Sequence, residues 1–287
     1  MTTATTTTQQ FISLRPYLFK IAYNMTGAIE EAEDIVQDVC EKWLKSNRPE
    51  VANPKAYLAR MVVNQSINRL NDLKTIRENY IGFWLPEPYV TLETNPELPS
   101  IDYGLLMLLE RLNPLERAVF ILRESFSESY ASIADLTGQS EDNCRQLLHR
   151  SREKIQHNTI KPVNPEKHRA LTEAFLSALY QQDRSVLEKI LRQDIELYGD
   201  GGGKKAAALK PLFGIDKVLK FLLGVTKLEN DKSETYTYKP GFFNGQPAAL
   251  LYSDSTDELD SAVFATYDET GISRLHFIRN PEKLKIR

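Results

Sequence analysis

The chain is poor in cysteine and lacks any long apolar run. Only two of its 287 residues are cysteines, Cys40 and Cys144, and neither belongs to a CxxC motif or to a set with metal-ligand spacing. We therefore predict no disulfide framework, no metal site and no cofactor. No apolar stretch approaches the roughly 18 residues that a membrane span needs, and the first ten residues lack the features of a secretory signal. The sequence thus favours a cytoplasmic protein that does not contact membranes.

A net excess of positive charge is also missing. Lys and Arg number 36 against 39 Asp and Glu, which gives a formal net charge of -3. A uniformly basic surface for nucleic acids is therefore excluded, and only local segregation of charge can mark a binding surface. The length predicts two or three compact domains.

Changes in residue pattern divide the chain into six segments. A Thr- and Gln-rich start predicts a disordered tail, two blocks with helical periodicity predict all-α domains, and Pro-rich stretches predict linkers. The segments are a tail at 1–10, a helical domain at 11–80, a linker at 81–100, a second helical domain at 101–157, a short linker at 158–167 and a third domain at 168–287.

The third domain mixes helical and strand-like patterns. Its order of helices followed by alternating strands predicts an α+β fold, with a curved antiparallel sheet covered by helices. The predicted helices are 171–180, 185–191 and 215–223, and the predicted strands are 195–198, 234–238, 248–252, 261–267 and 272–278.

Residues 111–155 carry the signals of a helix-turn-helix. Gly138 is suited to the turn, and Ser140 can cap the helix that follows it. From residue 143 to 155 that last helix has four Lys or Arg and one acid, Glu153. Such a surface suits a DNA major groove and its phosphates, although an ordinary helical pair with a solvated basic face would have the same pattern.

Charge is also segregated in the first helical domain. Six acids and no base lie between Glu30 and Glu41, whereas residues 42–77 carry eight bases and two acids. The basic part suits a nucleic-acid backbone, and the acidic part suits a protein partner. Two solvated helix faces would explain this block if it stood alone.

Three stretches in the helical domains resemble a known family. AEDIVQDV at 32–39, NPKAYLARMVVNQSINRL at 53–70 and CRQLLHRSREKI at 144–155 resemble regions 2 and 4 of extracytoplasmic-function (ECF) sigma factors of the sigma-70 family. The resemblance covers about residues 11–157. It implies a transcription initiation factor whose partners are the RNA polymerase core enzyme and promoter DNA at its -10 and -35 elements.

The same resemblance implies a role for three sets of residues. The set expected to bind core polymerase is Glu33, Asp34, Val36, Gln37 and Asp38. The set expected near the -10 element is Arg60, Asn64, Asn68 and Arg69. The set expected at the -35 element is Asn143, Arg145, Gln146, His149, Arg150 and Arg152.

Three further motifs resemble the sigma-factor subgroup that carries a fused C-terminal SnoaL-like domain, an α+β cone. They are WLPEP at 84–88, DGGGK at 200–204 and NPEKL at 280–284. The resemblance implies that the cone is a built-in regulator and that no separate anti-sigma factor is required. We expect the motifs to contact one another through Trp84, Leu85, Pro86, Glu87, Pro88, Asp200, Gly201, Gly202, Gly203, Lys204, Asn280, Pro281, Glu282, Lys283 and Leu284.

Another class of function stays open at this point. The cone could bind a small-molecule ligand or act as an enzyme, attached to a DNA-binding regulator that does not bind core polymerase. Its candidate acids and bases are Asp194, Tyr198, Asp200 and His276, but their spacing identifies no acid-base pair. We therefore predict a non-catalytic protein.

Overall fold

The computed structural model divides into two compact units. It describes residues 2–45, 51–93, 101–156, 165–231 and 235–286. We call the described parts of 2–78, Ile101 and 105–156 the helical unit, and the described parts of 79–93, 102–104 and 165–286 the sheet unit. Both predicted helical domains therefore share one unit, and the described part of the first linker belongs to the other. Residues 94–100 of the first predicted linker and 158–164 of the second lie outside the described residues, as does residue 157 at the end of the second predicted helical domain.

Three helices begin the helical unit: α1 (Thr2–Thr26), α2 (Ile29–Lys45) and α3 (Pro54–Glu78). Helix α3 starts where Asn53 accepts a hydrogen bond from the backbone N–H of Ala56 at 3.1 Å, which stabilises the helix start. The apolar residues that recur at helical spacing on α2 are buried, Ile35, Val39 and Trp43 among them. The helical bundle predicted from that spacing is confirmed.

The predicted disordered tail is a correction. Helix α1 already begins at Thr2, and residues 8–10 are exposed on its first turns. Among the side chains of α1 from residue 8 onward, whose burial the structure describes, the first buried one is Phe11. Once that anchored part is helical, each added residue extends the helix without a new nucleation cost. Composition shows that the tail has few apolar residues to bury, but it does not predict that an anchored helix extends into the tail.

The second half of the helical unit forms the predicted helix-turn-helix. Helix α4 (Tyr103–Leu109) is followed by α5 (Pro114–Glu124), α6 (Tyr130–Thr137) and α7 (Glu141–Gln156). Gly138 ends α6 in the left-handed region at φ 69°, and Ser140 accepts a hydrogen bond from the N–H of Asn143 at 3.2 Å. Both features occur where the sequence predicted the turn and the cap.

A buried arginine joins the two halves of this unit. Arg117 on α5 is 2 % exposed and donates to the carbonyl of Asn24 at 3.1 Å. Its guanidinium also pairs with Glu110 at 2.5 Å, and Glu110 pairs with Arg77 of α3 at 2.6 Å. Burial lowers the pKa of Arg77, and the charge of Glu110 opposes that effect. These side chains tie α1 and α3 to α5.

The sheet unit has three helices and seven strands among its described residues. The helices are α8 (Pro165–Tyr180), α9 (Arg184–Ile190) and α10 (Ile215–Asp231). The strands are β1 (Val90–Thr91), β2 (Leu191–Asp200), β3 (Leu212–Phe213), β4 (Tyr236–Phe243), β5 (Gln246–Ser253), β6 (Leu259–Asp268) and β7 (Gly271–Ile278). They form one sheet in the order β1-β4-β5-β6-β7-β2-β3. The predicted α+β architecture is confirmed, while Glu234, the start of a predicted strand, lies outside the described residues.

One strand pair departs from the predicted antiparallel sheet. Strand β2 pairs with β7 in parallel, with Leu197 opposite Leu275 and Tyr198 opposite His276. Alternation along a strand indicates which residues share a face, but it carries no information on the direction of the neighbouring strand. The strand segments were therefore predictable, and this pairing was not.

The sheet has two differently covered faces. One face packs against α8, α9 and α10 around a core that includes Leu197 and Leu275. On the other face, Tyr198 stacks on His276 with ring centroids 5.4 Å apart, and Phe83 of the linker lies 5.1 Å from Tyr198. Strand β1, which belongs to the linker, pairs with β4 at the sheet edge. The linker therefore covers the face opposite the helices.

Candidate functional sites

Helix α2 presents an acidic surface. Glu33, Asp34, Gln37 and Asp38 are exposed, and they recur at the spacing that places residues on one side of a helix. Val36, which the resemblance also assigned to polymerase binding, is 2 % exposed and packs in the core. Val36 therefore does not lie on this surface. Its place in the assigned set reflects its position within the motif rather than its side of the helix.

A polar groove of about 490 Å³ lies between α2 and α3. Asp34, Gln37 and Asp38 line one side, and Asn68 and Arg69 line the other. Residues assigned to the two partners, polymerase and the -10 element, therefore share one groove.

Two of the basic residues on α3 are paired within the chain. Arg69 forms a two-bond ion pair with Glu31 of α2, in which Nη2 donates to Oε1 at 2.9 Å and Nε donates to Oε2. Arg60 pairs with Asp135 of α6 at 3.3 Å. Sequence analysis gave Glu31 and Asp135 no such role, because their partners lie 38 and 75 residues away. Asn64 and Asn68 are exposed.

Helix α7 presents the predicted basic surface. The exposed residues are Arg145, Gln146, His149, Arg150 and Arg152, whereas Asn143 is half-buried.

Several charges on this helix are offset by nearby acids. Arg145 pairs with Glu141 at 2.9 Å, and Arg152 pairs with Glu124 at 2.6 Å. Because such exposed pairs contribute little and can exchange partners, these arginines can also meet a phosphate.

Asp200 is the centre of a buried network in the sheet unit. Its side chain is fully buried and forms an ion pair with Lys283, whose Nζ lies 2.7 Å from Oδ2. The backbone N–H of Leu85 donates to the same oxygen at 2.9 Å. Tyr80 donates from its hydroxyl to Oδ1 at 2.5 Å. We call the network of Tyr80, Trp84, Leu85, Asp200, Asn280 and Lys283 the clasp.

The NPEKL segment completes the clasp. Lys283 donates to the carbonyl of Leu85 at 2.5 Å, and its Nζ lies 4.3 Å from the centre of the Trp84 ring. Asn280 donates from its side chain to the hydroxyl of Tyr80 at 2.9 Å and from its backbone to the carbonyl of Asp200 at 3.0 Å. One residue from each of the three motifs thus contacts the other two.

Gly202 permits this close approach. It has φ 61°, and a Cβ placed on it would lie 2.5 Å from Nδ2 of Asn280. Any side chain would therefore collide with Asn280 in a backbone region that L residues rarely adopt. The neighbouring Lys204 pairs with Glu282 on the surface. The other residues assigned to these motifs differ in burial: Pro86, Glu87, Pro88, Gly201 and Leu284 are buried, as is Leu85 of the clasp, and Gly203 and Pro281 are exposed.

Two tyrosines outside the three motifs also hold the linker. Burial and the hydrogen bond to Asp200 raise the pKa of Tyr80. Its hydroxyl therefore stays protonated and donates a hydrogen bond to Asp200. Tyr103, which is fully buried, donates to the carbonyl of Pro86 at 2.9 Å and packs edge-on against Phe243 and Phe264. Both tyrosines lie close to WLPEP in sequence, but no pattern distinguishes them from other aromatic residues.

The four candidate acids and bases of the cone do not form one site. Asp194 is exposed and pairs with Arg192 at 2.7 Å, Tyr198 donates to Glu196 at 2.8 Å, and Asp200 belongs to the clasp. Burial, assisted by the charge of Arg274, lowers the pKa of His276 to about 3, so its ring is neutral.

Two matches to family models cover the helical unit. Residues 11–75 match Sigma-70 region 2, and residues 104–155 match Sigma-70, region 4. The first match contains α2 and α3, and the second contains the helix-turn-helix. In the described part of the chain, no helix is both long and apolar enough to cross a membrane.

Two relatives are similar along most of the chain, and both come from Mycobacterium tuberculosis. The ECF RNA polymerase sigma factor SigJ is 32 % identical over 256 residues, which are 84 % of this chain and 77 % of SigJ. The probable ECF RNA polymerase sigma factor SigI is 30 % identical over 284 residues, which are 94 % of this chain and 92 % of SigI. The crystal structure of SigJ aligns with a TM-score of 0.75 and 27 % identity, and it covers 96 % of this chain and 97 % of that structure.

The helical fold, the helix-turn-helix and these matches define a member of the sigma-70 class. Within that class, the chain belongs to the family of ECF RNA polymerase sigma factors, in its form with an α+β domain after region 4.

Proposed function

We propose that this sigma factor binds the RNA polymerase core enzyme through the acidic surface of α2 and directs it to promoters. The supporting observation is the groove in which Asp34, Gln37 and Asp38 lie opposite Asn68 and Arg69. The acids suit a basic protein surface, and the facing residues suit DNA that has been opened. Helix α7 then reads the -35 element, with Arg145 and Gln146 toward base edges and Arg150 and Arg152 toward phosphates. Such a factor acts in the cytoplasm.

A charge reversal tests polymerase binding. We expect Asp34→Lys and Asp38→Lys to abolish co-migration with purified core enzyme, because both side chains are exposed and the fold does not depend on them. Glu41→Lys is the control on the same helix, since Glu41 is exposed, lies outside the assigned set and forms an ion pair with the exposed Lys45. If the chain were a DNA-binding regulator that does not bind polymerase, even the unaltered chain would not co-migrate with core enzyme. That result would reject the proposal.

The sheet unit acts in this proposal as a built-in, non-catalytic regulator. The clasp supports this role because it binds the linker that connects regions 2 and 4 in the chain, and so controls the spacing available to the two DNA-binding regions. No separate anti-sigma factor is then required. The non-catalytic role is supported by the partners of the candidate groups: Asp194 pairs with Arg192, Asp200 belongs to the clasp, and Tyr198 stacks on the neutral ring of His276.

Run-off transcription with purified core enzyme tests the regulatory role. We expect Asp200→Asn and Gly202→Ala to release the linker and raise promoter-dependent transcription by about fivefold or more, the low end of typical coupling between sites. Glu282→Gln is the control, because it removes only the exposed pair with Lys204. Unchanged transcription by both clasp variants would contradict the regulatory role and leave the sigma-factor assignment intact.

A further inference from the structure

The sheet unit contains a cavity that polymerase binding, DNA binding and the clasp do not use. It has a volume of about 140 Å³ and lies on the helix-covered face of the sheet. Its wall is largely apolar and includes Leu179, Phe221, Val225, Leu251 and Phe277. An apolar cavity of about 150 Å³ in another protein binds benzene. The volume therefore suits one aromatic ring or a short alkyl chain.

The cavity offers no net charge to a ligand. Arg279 is the one charged residue among those that line it, and its guanidinium donates to Asp260 at 2.8 Å. Burial would raise the pKa of Asp260, but the hydrogen bond from Lys205 and the charge of Arg279 lower it. Asp260 therefore stays ionised at neutral pH and offsets Arg279. The lining residues include no carboxylate, thiol or imidazole, so the cavity suits binding rather than acid-base chemistry.

Two strands carry the cavity on one face and the clasp on the other. Gly199 lines the cavity and Asp200, the next residue of β2, holds Lys283. After β7, Arg279 lines the cavity and Asn280 binds Tyr80. Because successive residues of an extended chain point to opposite faces, a shift of either segment toward a ligand also moves a clasp residue.

The segment after DGGGK forms a further part of the wall. Residues 206–208 line the cavity, and the carbonyl of Ala206 accepts a hydrogen bond from Nη1 of Arg279 at 3.2 Å. This segment packs tightly on β2, since a Cβ placed on Gly199 would lie 2.9 Å from the backbone nitrogen of Ala208. A ligand in the cavity would therefore contact residues 206–208, which follow the DGGGK motif.

We propose that this cavity binds a small uncharged apolar molecule and that its occupancy changes the clasp. The effect on transcription rests on the function proposed above, whereas binding and the change in the clasp do not. A ligand shifts an equilibrium only if it prefers one arrangement of the protein. Here the preference arises because the ligand packs against Gly199, Arg279 and residues 206–208, whose neighbours in sequence form the clasp.

The experiment uses the full chain with Trp43→Phe, which leaves Trp84 of the clasp as the only tryptophan. Benzene is added and compared with benzoate, while the melting temperature and the Trp84 fluorescence are recorded. We expect benzene to raise the melting temperature by roughly 2–5 °C at ten times its Kd and to change Trp84 emission. Benzoate should have a much smaller effect, because its charge would lose hydration without a free partner.

Two filling variants keep the test independent of one mutation. Val225→Phe and, separately, Ala207→Leu should abolish both responses to benzene, whereas Lys220→Phe on the exposed side of α10 should keep them. No melting shift with benzene in the parent chain would overturn the site. A shift that the filling variants retain would overturn its location, and a shift without a change at Trp84 would overturn the link to the clasp. None of these results depends on transcription, so they are separable from failure of the proposed function.

Discussion

Two long-range ion pairs, one in each unit, lie in opposite environments. In the helical unit, Arg60 pairs with Asp135, and their side chains are 50 % and 66 % exposed. In the sheet unit, Lys283 pairs with Asp200, and their side chains are 10 % and 0 % exposed. An exposed pair contributes about 0–1 kcal/mol, whereas removing one partner of a buried pair costs about 3–5 kcal/mol. The first kind of pair can exchange its partner for DNA, and the second holds a structure in place.

The clasp variant Asp200→Asn should have the largest effect on stability. It leaves the Lys283 ammonium buried with the carbonyl of Leu85 but without its carboxylate. We expect a loss of about 3–5 kcal/mol in the free energy of unfolding of the sheet unit, measured by denaturant titration with Trp84 fluorescence. Adding Lys283→Met should recover part of the loss, because the unpaired charge is then removed. A loss below 1 kcal/mol would place this pair with the exposed ones and remove the contrast between the two pairs.

The buried histidine should give the next largest effect, and it depends on pH. His276 has a pKa of about 3 in the folded chain, against about 6.5 when unfolded. Between these values the unfolded chain binds more protons, so stability falls as pH is lowered from about 6.5 toward 3. At pH 5 the loss attributable to His276 is about 2 kcal/mol.

Denaturation at pH 7.5 and pH 5 checks this value. His276→Gln should lose about 2 kcal/mol less than the parent chain over that interval. Equal losses for the parent chain and His276→Gln would show that burial of His276 does not control the pH response. The pKa of His168 is also lowered by burial, so some dependence on pH should persist in His276→Gln.

A surface residue of α7 should affect DNA binding without affecting stability. Arg150→Ala removes one exposed positive charge, and we expect the slope of log affinity against log salt concentration to fall by about one. Arg152→Ala should have a smaller effect on affinity, because Glu124 already offsets Arg152 at 2.6 Å. Equal effects would indicate that Glu124 releases Arg152 when DNA binds. Fluorescence anisotropy on a promoter fragment at several salt concentrations measures both.

Asp135→Asn should change stability only slightly. This change removes the exposed partner of Arg60, so we expect a change below about 1 kcal/mol in the free energy of unfolding. Affinity for single-stranded DNA with a -10 sequence should rise, because Arg60 no longer has a competing carboxylate. If stability falls by several kcal/mol instead, the pair belongs with the buried ones and the comparison fails.

Local sequence signals predicted much of the fold. The turn at Gly138 and the cap at Ser140 depend on short-range chemistry, and both occur where expected. Val36 and the tail at 2–10 show where such signals fail. A motif position does not say which side of a helix faces a partner, and composition does not count extension of an anchored helix.

The candidate sites were predictable to different degrees. Helical periodicity predicts which residues of α2 and α7 are exposed, because the apolar stripe of an amphipathic helix faces the core and its polar side faces solvent. The ion-pair partners of Arg60 and Arg69 could not be predicted from the sequence, since Asp135 and Glu31 lie on other helices.

By itself, the sequence determined the helical periodicity, the caps, the segregated charges and the three short motifs, because each depends on residues close together in the chain. Only the tertiary structure decided that β2 runs parallel to β7, that Asp200 is buried against Lys283 and Leu85, and that an apolar cavity lies behind the same two strands. The reason is that burial, and hence the energy of an ion pair or a cavity, depends on the residues that arrive from distant parts of the chain.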